Sequence, residues 1–309
     1  MKVVLTNLSN KLFNDSRNRL NHSAKMYGIE HINSYDFDDL KQKPFYQQHI
    51  NILQQPKGIG YWLWKPYIIL ETLNTLSEGD IVVYSDCGID VVYSDCGIEF
   101  INKIDPLINI CTKEQPIVLF ANGNFKNKQW TKRDCFVLMD CDSKEYWNAT
   151  HCDAAFSLFR KCDQSIFFLT EWLRYGADER IITDLPNTCK KNLLSFVEHR
   201  RDQSVLSLLA KKLQVPLHRM PSQFGNHYKT IPFRVANEFN CVNQYFQKQV
   251  NYYAEKPYSN SSYGQLLNHH RTKTGENNNS IKEVGLMRII GKLKKLQQQV
   301  MRRLRIEWL

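Results

Sequence analysis

Residues 80–100 read DIVVYSDCGIDVVYSDCGIEF, in which the octapeptide VVYSDCGI occupies 82–89 and returns unchanged at 91–98. A run of β-branched and aromatic residues that stops at Asp-x-Gly reads as a buried strand running into a turn. The copies are offset by nine residues, and an odd shift exchanges the faces of a strand, so both registers cannot be satisfied at once. VVYS is nearly all apolar and suits a strand buried on both faces, which lowers the cost of the exchange. Upstream spacing places Asp86 at the strand end, because the preceding helix closes at Gly79 and feeds Ile81–Ser85 directly. Downstream spacing, through Gly97-Ile98-Glu99 into FINKIDPL, places Asp95 there equally well. We adopt Asp86, with the extra copy leaving the sheet as a loop or folding back as a hairpin through Asp86-Cys87-Gly88.

Working outward, Pro66-YIILETLNTL is a helix with proline in its first turn. Further upstream, KVVL opens a strand, Leu12, Leu20, Ala24 and Met26 mark a helix closed by Gly28, and EHINSY is a second strand. Strand, helix, strand in that order predicts an α/β domain with a parallel sheet. Downstream, QPIVLFAN at 115–122 is another buried strand and AAFSLFRK an apolar segment, and helices follow over SIFFLTEWLRYG and DQSVLSLLAKKL. Residues 254–280, rich in Asn, Ser, Tyr and Lys, read as a linker. The final segment, 281–309, sets Leu286, Ile289, Ile290, Leu293, Leu296, Val300 and Leu304 at helical spacing among basic residues. Such a basic amphipathic helix suits an anionic membrane face, or docking on its own domain or a twin subunit.

The chain has 309 residues, 42% of them hydrophobic, enough for one main globular unit. Its first ten residues carry no long apolar run, and no stretch of about eighteen apolar residues follows, so neither secretion nor a membrane span is expected. Nine cysteines without a C-x-x-C spacing support neither a zinc cluster nor a disulfide framework; buried thiols in a reducing cytoplasm are expected. Of the net charge of +10, residues 281–309 supply eight Lys/Arg against Glu283 and Glu307. With the charge so concentrated and no recognisable module present, nucleic acid is not an expected partner.

Several residue sets carry chemistry. An aspartate at a strand end in an α/β sheet can hold Mn²⁺ or Mg²⁺, and the nearby glycine lets a phosphate-bearing ligand approach the backbone. KGIGYWLWKPY at 57–67 gathers Trp62, Trp64 and Lys65, aromatic faces for a sugar or base and a cation for phosphate, although one tryptophan can equally be a core anchor. In EHRRDQS, Glu198, His199 and Asp202 precede a helix, with Asp202 in its first turn. Asp153, Glu198 and Asp202 are carboxylates of a type that can serve as a general base.

The runs GYWLWKPYIILETLNTLSEGDIVVYSDCG, TKRDCFVLMDCDSKEYWN, DERIITDLPNTC and FVEHRRDQSVLSLLAKKL, in that order, resemble a family of bacterial and large-virus glycosyltransferases that build capsular, lipopolysaccharide or capsid-attached glycans. The resemblance spans residues 1–275 and implies a GT-A type, Rossmann-like mixed sheet flanked by helices, followed by a linker and the basic helix over 276–309. It implies a metal-dependent transfer of sugar from a nucleotide-diphosphate donor to a glycan acceptor, in the cytoplasm or peripheral to the inner membrane face. Asp86 or Asp95 would hold the metal, with His269 or His270 completing its shell and Arg271 pairing with phosphate. Thr6, Asn7 and Tyr35, after the first two strands, would hold the nucleotide with Trp62, Trp64, Lys65 and His199; Asp202 would lie near the donor or acceptor sugar. The chain departs from the family in its duplicated strand motif, in Lys57-Gly58-Ile59-Gly60, and in Asp153-Ala154-Ala155. A sugar- or nucleotide-binding protein whose metal site the duplication has spoiled is the alternative expectation.

Overall fold

The computed structural model describes residues 1–88, 97–226 and 258–270. Asp95, Arg271 and the basic segment 281–309 lie outside the described residues, which all belong to one unit, Met1–Thr272.

Six strands form the central sheet in the order β2 (His31–Asp36), β1 (Val3–Ser9), β3 (Ile81–Ser85), β6 (Thr150–Arg160), β5 (Ile117–Lys126), β7 (Leu217–His218). The strand, helix, strand rhythm of the first half makes β2, β1 and β3 mutually parallel, and β5 is parallel to β7. β6 runs antiparallel to both of its neighbours, so the sheet is mixed, as the family resemblance implies. A second, two-stranded sheet pairs β4 (Gly97–Phe100) with β8 (Leu267–His270), antiparallel, with Gly97 opposite His270.

The first copy of the repeated octapeptide is the one that enters the central sheet. Ile81 to Ser85 are all buried, as a strand covered on both faces requires. Ile81 and Val83 pack with Leu20 and Ala24 of the Asn14–Met26 helix on one face, while Val82 and Tyr84 join Trp64, Ile68 and Leu73 of the Trp64–Asn74 helix on the other. That second layer continues through Phe168, Leu169 and Trp172 of the Asp163–Gly176 helix and the almost wholly buried Asp202–Lys212 helix. The second copy contributes Gly97 and Ile98 to β4.

Residues 258–270 correct the linker expectation. Tyr263, Leu266 and Leu267 are buried with Ile98 and Phe100, and the Arg219 guanidinium donates to the Ser261 carbonyl at 3.0 Å. The apolar residues here are few and set among polar ones, and their partners are more than a hundred residues away in β4, so no local periodicity announces them.

β6 carries an irregularity at Asp153-Ala154-Ala155. Val118 and Phe120 are two residues apart on β5, yet their partners on β6 are Leu158 and Asp153. The slack residues bulge, as strands do where a side chain must be re-aimed. Just before the Trp64–Asn74 helix, five consecutive residues, Gly58, Ile59, Gly60, Tyr61 and Trp62, have φ of 54°, 44°, 86°, 54° and 61°. With Tyr61 N–H donating to Lys57 O at 2.8 Å and Trp62 N–H to Gly58 O at 3.3 Å, this is one turn of left-handed helix. Such a turn costs L-residues roughly 1–2 kcal/mol each, and the two glycines remove part of that cost. Among the described residues, no helix is long and apolar enough to cross a membrane.

At Gly60 an added Cβ would lie 2.6 Å from the Leu53 Cα, in a backbone region that an L side chain rarely adopts. We expect Gly60→Ala to cost more than about 1 kcal/mol, a fall in Tm of at least roughly 2–4 °C. Thermal unfolding followed by circular dichroism measures this; an unchanged Tm would rule out the left-handed turn.

Candidate active site

At the carboxyl end of β3 the bulge and the strand meet. The Asp86 N–H donates to the Ala155 carbonyl at 2.8 Å, fixing the aspartate just beyond the sheet, and the buried Tyr84 hydroxyl donates to its Oδ1. Lys65, in the first turn of its helix and 2% exposed, points its ammonium into the same place. Its Nζ lies 3.3 Å from Asp86 Oδ1 and 3.1 Å from Asp202 Oδ2, and donates to the Ala154 carbonyl at 3.0 Å. It also stands 5.3 Å from the Tyr84 ring centroid. A buried ammonium needs partners for its three N–H groups, and the bulge supplies one of them from the backbone.

Asp202 opens the Asp202–Lys212 helix and is 5% exposed; its backbone carbonyl accepts from Trp172 Nε1 at 3.1 Å. Burial pushes the Asp202 carboxyl up to about 6; the Lys65 charge opposes the rise and Asp86 adds to it. Asp153 is drawn in through the bulge, its Oδ1 accepting from the Ala155 N–H at 2.8 Å. Burial, with further contributions from Asp86 and Asp202, pushes its carboxyl up to about 6 as well, against the Ala155 bond and Lys65. Asp86 and Asp202 thus share one ammonium, and Asp153 feels its charge from nearby. Carboxylates held like this accept from sugar hydroxyls, offset positive charge developing on a ring carbon, and at neutral pH act as stronger bases than a solvated aspartate.

The structure gathers Asp86, Lys65, Asp153 and Asp202 from four distant stretches, and it assigns other expected residues elsewhere. Glu198 is not with them. Burial would raise its carboxyl, but Arg200 and Arg201 more than offset this and hold it below the usual range, a poor base. His199 is not a ligand-facing residue: it is 3% exposed, with Nδ1 accepting from the Lys132 N–H at 3.3 Å and Nε2 donating to the Ile181 carbonyl at 2.8 Å. Trp64 is the core anchor of the tryptophan pair, 1% exposed with its indole N–H on the Gly58 carbonyl at 3.1 Å. Trp62 is half-buried, its ring lying against Gly58.

Thr6 and Tyr35 point between the sheet and the Trp64–Asn74 helix, where both hydroxyls meet Thr72 Oγ1, at 3.1 and 3.2 Å. Asn7, on the opposite face of β1, donates to Asn21 Oδ1 at 2.9 Å. These three tie layers together. Tyr35 retains part of its surface, whereas Thr6 and Asn7 are fully buried and cannot touch a nucleotide.

His269 and His270 lie on β8. The His270 ring is packed on Gly97, where an added Cβ would come within 2.5 Å of its Cε1, and Gly97 bridges to Cys87, the residue after Asp86. His269 lies against the Phe224 ring, centroids 5.0 Å apart, and its backbone is bonded on both sides to the Gln223 amide. Burial lowers both imidazoles to about 4, so both are neutral at physiological pH. Among the described residues, no three His, Cys, Asp or Glu side chains gather to hold a metal ion. Oxygens of Asp86 and Asp202 converge on the Lys65 ammonium instead, so the described residues do not by themselves fit Mn²⁺ or Mg²⁺. Tyr84 lies in the repeated octapeptide and the bulge carbonyls in Asp153-Ala154-Ala155, but the sequence alone assigns neither a role.

No family model matches the chain, and no curated protein matches it. Among solved structures, the chain is similar to the galactosyltransferase LgtC in complex with donor and acceptor sugar analogs, at 13% identity over 87% of each chain, with a TM-score of 0.39. A likeness of that degree decides neither substrate nor chemistry.

Because the Asp153 carboxyl is raised above its unfolded value, its contribution to stability is full below about pH 4 and is lost as pH rises through about 6. Asp153→Asn keeps the acceptor for the Ala155 N–H and removes the charge. At pH 7.5 it is expected to stabilise the fold by on the order of 1–3 kcal/mol, and at pH 4.5 by much less. Chemical denaturation at the two pH values checks this; equal effects at both would refute the raised carboxyl.

Proposed function

We propose that the protein is a glycosyltransferase that moves a sugar from a nucleotide-diphosphate donor to a glycan hydroxyl. The observation that carries this reading is the buried Lys65–Asp202 pair, joined by the partly buried Asp86 and neighboured by Asp153, at the carboxyl end of β3. Ligands of open α/β sheets bind at such strand ends. A donor sugar laid over this cluster would give its hydroxyl protons to carboxylate oxygens, and the same oxygens would offset charge developing at its anomeric carbon as the diphosphate departs.

In this reading Asp153 or Asp202 accepts the proton of the attacking acceptor hydroxyl. Burial makes each a stronger base than an ordinary aspartate, while near pH 7 it is still largely ionised, the condition for general base catalysis. Lys65 keeps the carboxylates together and limits their mutual repulsion. Trp62, half-buried at the end of the left-handed turn, offers an aromatic face for a sugar or base. No step is assigned to a metal ion.

A panel of nucleotide sugars, incubated with and without Mn²⁺ and with and without chelator, tests the reading through release of nucleoside diphosphate. Turnover of at least one donor is expected, falling by roughly 100-fold or more in Asp86→Asn and Asp202→Asn, and little changed in Asp95→Asn. Release from no donor under any condition would sink the proposal. Loss in Asp95→Asn with full activity in Asp86→Asn would move the chemistry to the second copy.

A further inference from the structure

Two strained backbone segments lead directly into the Lys65–Asp202 pair. The left-handed turn over Gly58–Trp62 is followed at once by Leu63, Trp64 and Lys65. Arg201, immediately before Asp202, has φ 50° and ψ −116°, a conformation strongly disfavoured for a residue with a Cβ. Strain of this kind, of order 1–3 kcal/mol per residue, persists only where the surroundings over-determine it.

One side chain restrains both segments. Asp184 follows the Glu179–Ile182 helix in the run DERIITDLPNTC, for which the site described so far has no use. Its Oδ2 lies 2.5 Å from Lys57 Nζ, at the start of the left-handed turn. The same carboxylate takes a two-pronged contact from the Arg201 guanidinium, Nε to Oδ1 at 3.2 Å and Nη2 to Oδ2 at 3.1 Å. Arg201 is 4% exposed and bonds Glu198 at 3.0 Å as well, so the guanidinium is held firmly enough to impose its backbone conformation.

The contacts close a ring. From Asp184 one arm runs through Lys57 and the left-handed turn to Lys65; the other runs through Arg201 to Asp202; and Lys65 meets Asp202 at 3.1 Å. We propose that Asp184 is a positioning residue for the active site, setting the approach of Lys65 to Asp202 by anchoring both strained segments through Lys57 and Arg201. The assignment of a reaction to that pair rests on the function proposed above, whereas the positioning itself does not.

The Trp172 indole N–H, which donates to the Asp202 carbonyl, reports the placement of Asp202 without any turnover. Its proton resonance, assigned by its loss in Trp172→Phe, is expected to move toward the position of an unbonded indole in Asp184→Asn. In the same variant kcat for donor cleavage should fall about 10- to 100-fold, with the donor KM changed less than about threefold. Asp184→Glu should recover part of both effects. If Asp184→Asn fails to fold, Lys57→Met, at the far end of one arm, is expected to move the same resonance. A Trp172 indole unchanged in the folded variants overturns the proposal. An indole that moves in a protein whose wild type cleaves no donor sustains the positioning and removes the assigned reaction.

Discussion

A single buried ammonium set between two carboxylates is the constraint on which the rest of this structure depends. A buried ammonium must be compensated, and Lys65 donates to the Ala154 carbonyl while Asp86 and Asp202 stand at ion-pair distance. Each of these partners requires something of the fold. Asp86 requires β3 to stop at Ser85, Ala154 requires the bulge in β6, and Asp202 requires a helix that begins against Trp172. The antiparallel placement of β6 beside β3 allows a backbone carbonyl from one strand and a carboxylate from the other to face the same cation.

The electrostatics of the cluster bear on its chemistry. With two of its carboxyls raised by burial, the cluster carries unfavourable charge at neutral pH that protons or hydrogen-bond donors relieve. A group that brings hydrogen-bond donors to such oxygens gains more there than at solvated carboxylates. The left-handed turn and the Arg201 backbone add conformational strain beside the same pair, so charge and geometry concentrate at one end of the sheet.

The second sheet shows how a repeated sequence takes two structural roles. VVYS of the first copy is a central strand, while Gly97 and Ile98 of the second pair with His270 and His269 on β8. Gly97 is needed there, because an added Cβ would strike both Ser16 Oγ and the His270 ring. The copies are chemically identical, so what separates them is their position relative to the preceding helix and to β8.

Much of the framework was legible in the chain. Apolar runs, the closing glycine Gly28 and the proline in the first helical turn mark β1, β2, β3, β5 and four of the helices, because strand and helix periods and turn chemistry are local properties, whereas the helix expected to close at Gly79 ends at Asn74. Asp86, Lys65, Asp153 and Asp202 were each legible as separate candidates. Only the tertiary structure decided that these four meet while Glu198, His199 and Trp64 do not. Their roles depend on which neighbour arrives from elsewhere in the chain: Arg200 and Arg201 neutralise Glu198, backbone groups occupy His199, and core packing covers Trp64. The bulge, the antiparallel strand and the pairing of 267–270 with 97–100 are likewise long-range outcomes, for hydrogen bonds between distant segments leave no period in the sequence that makes them.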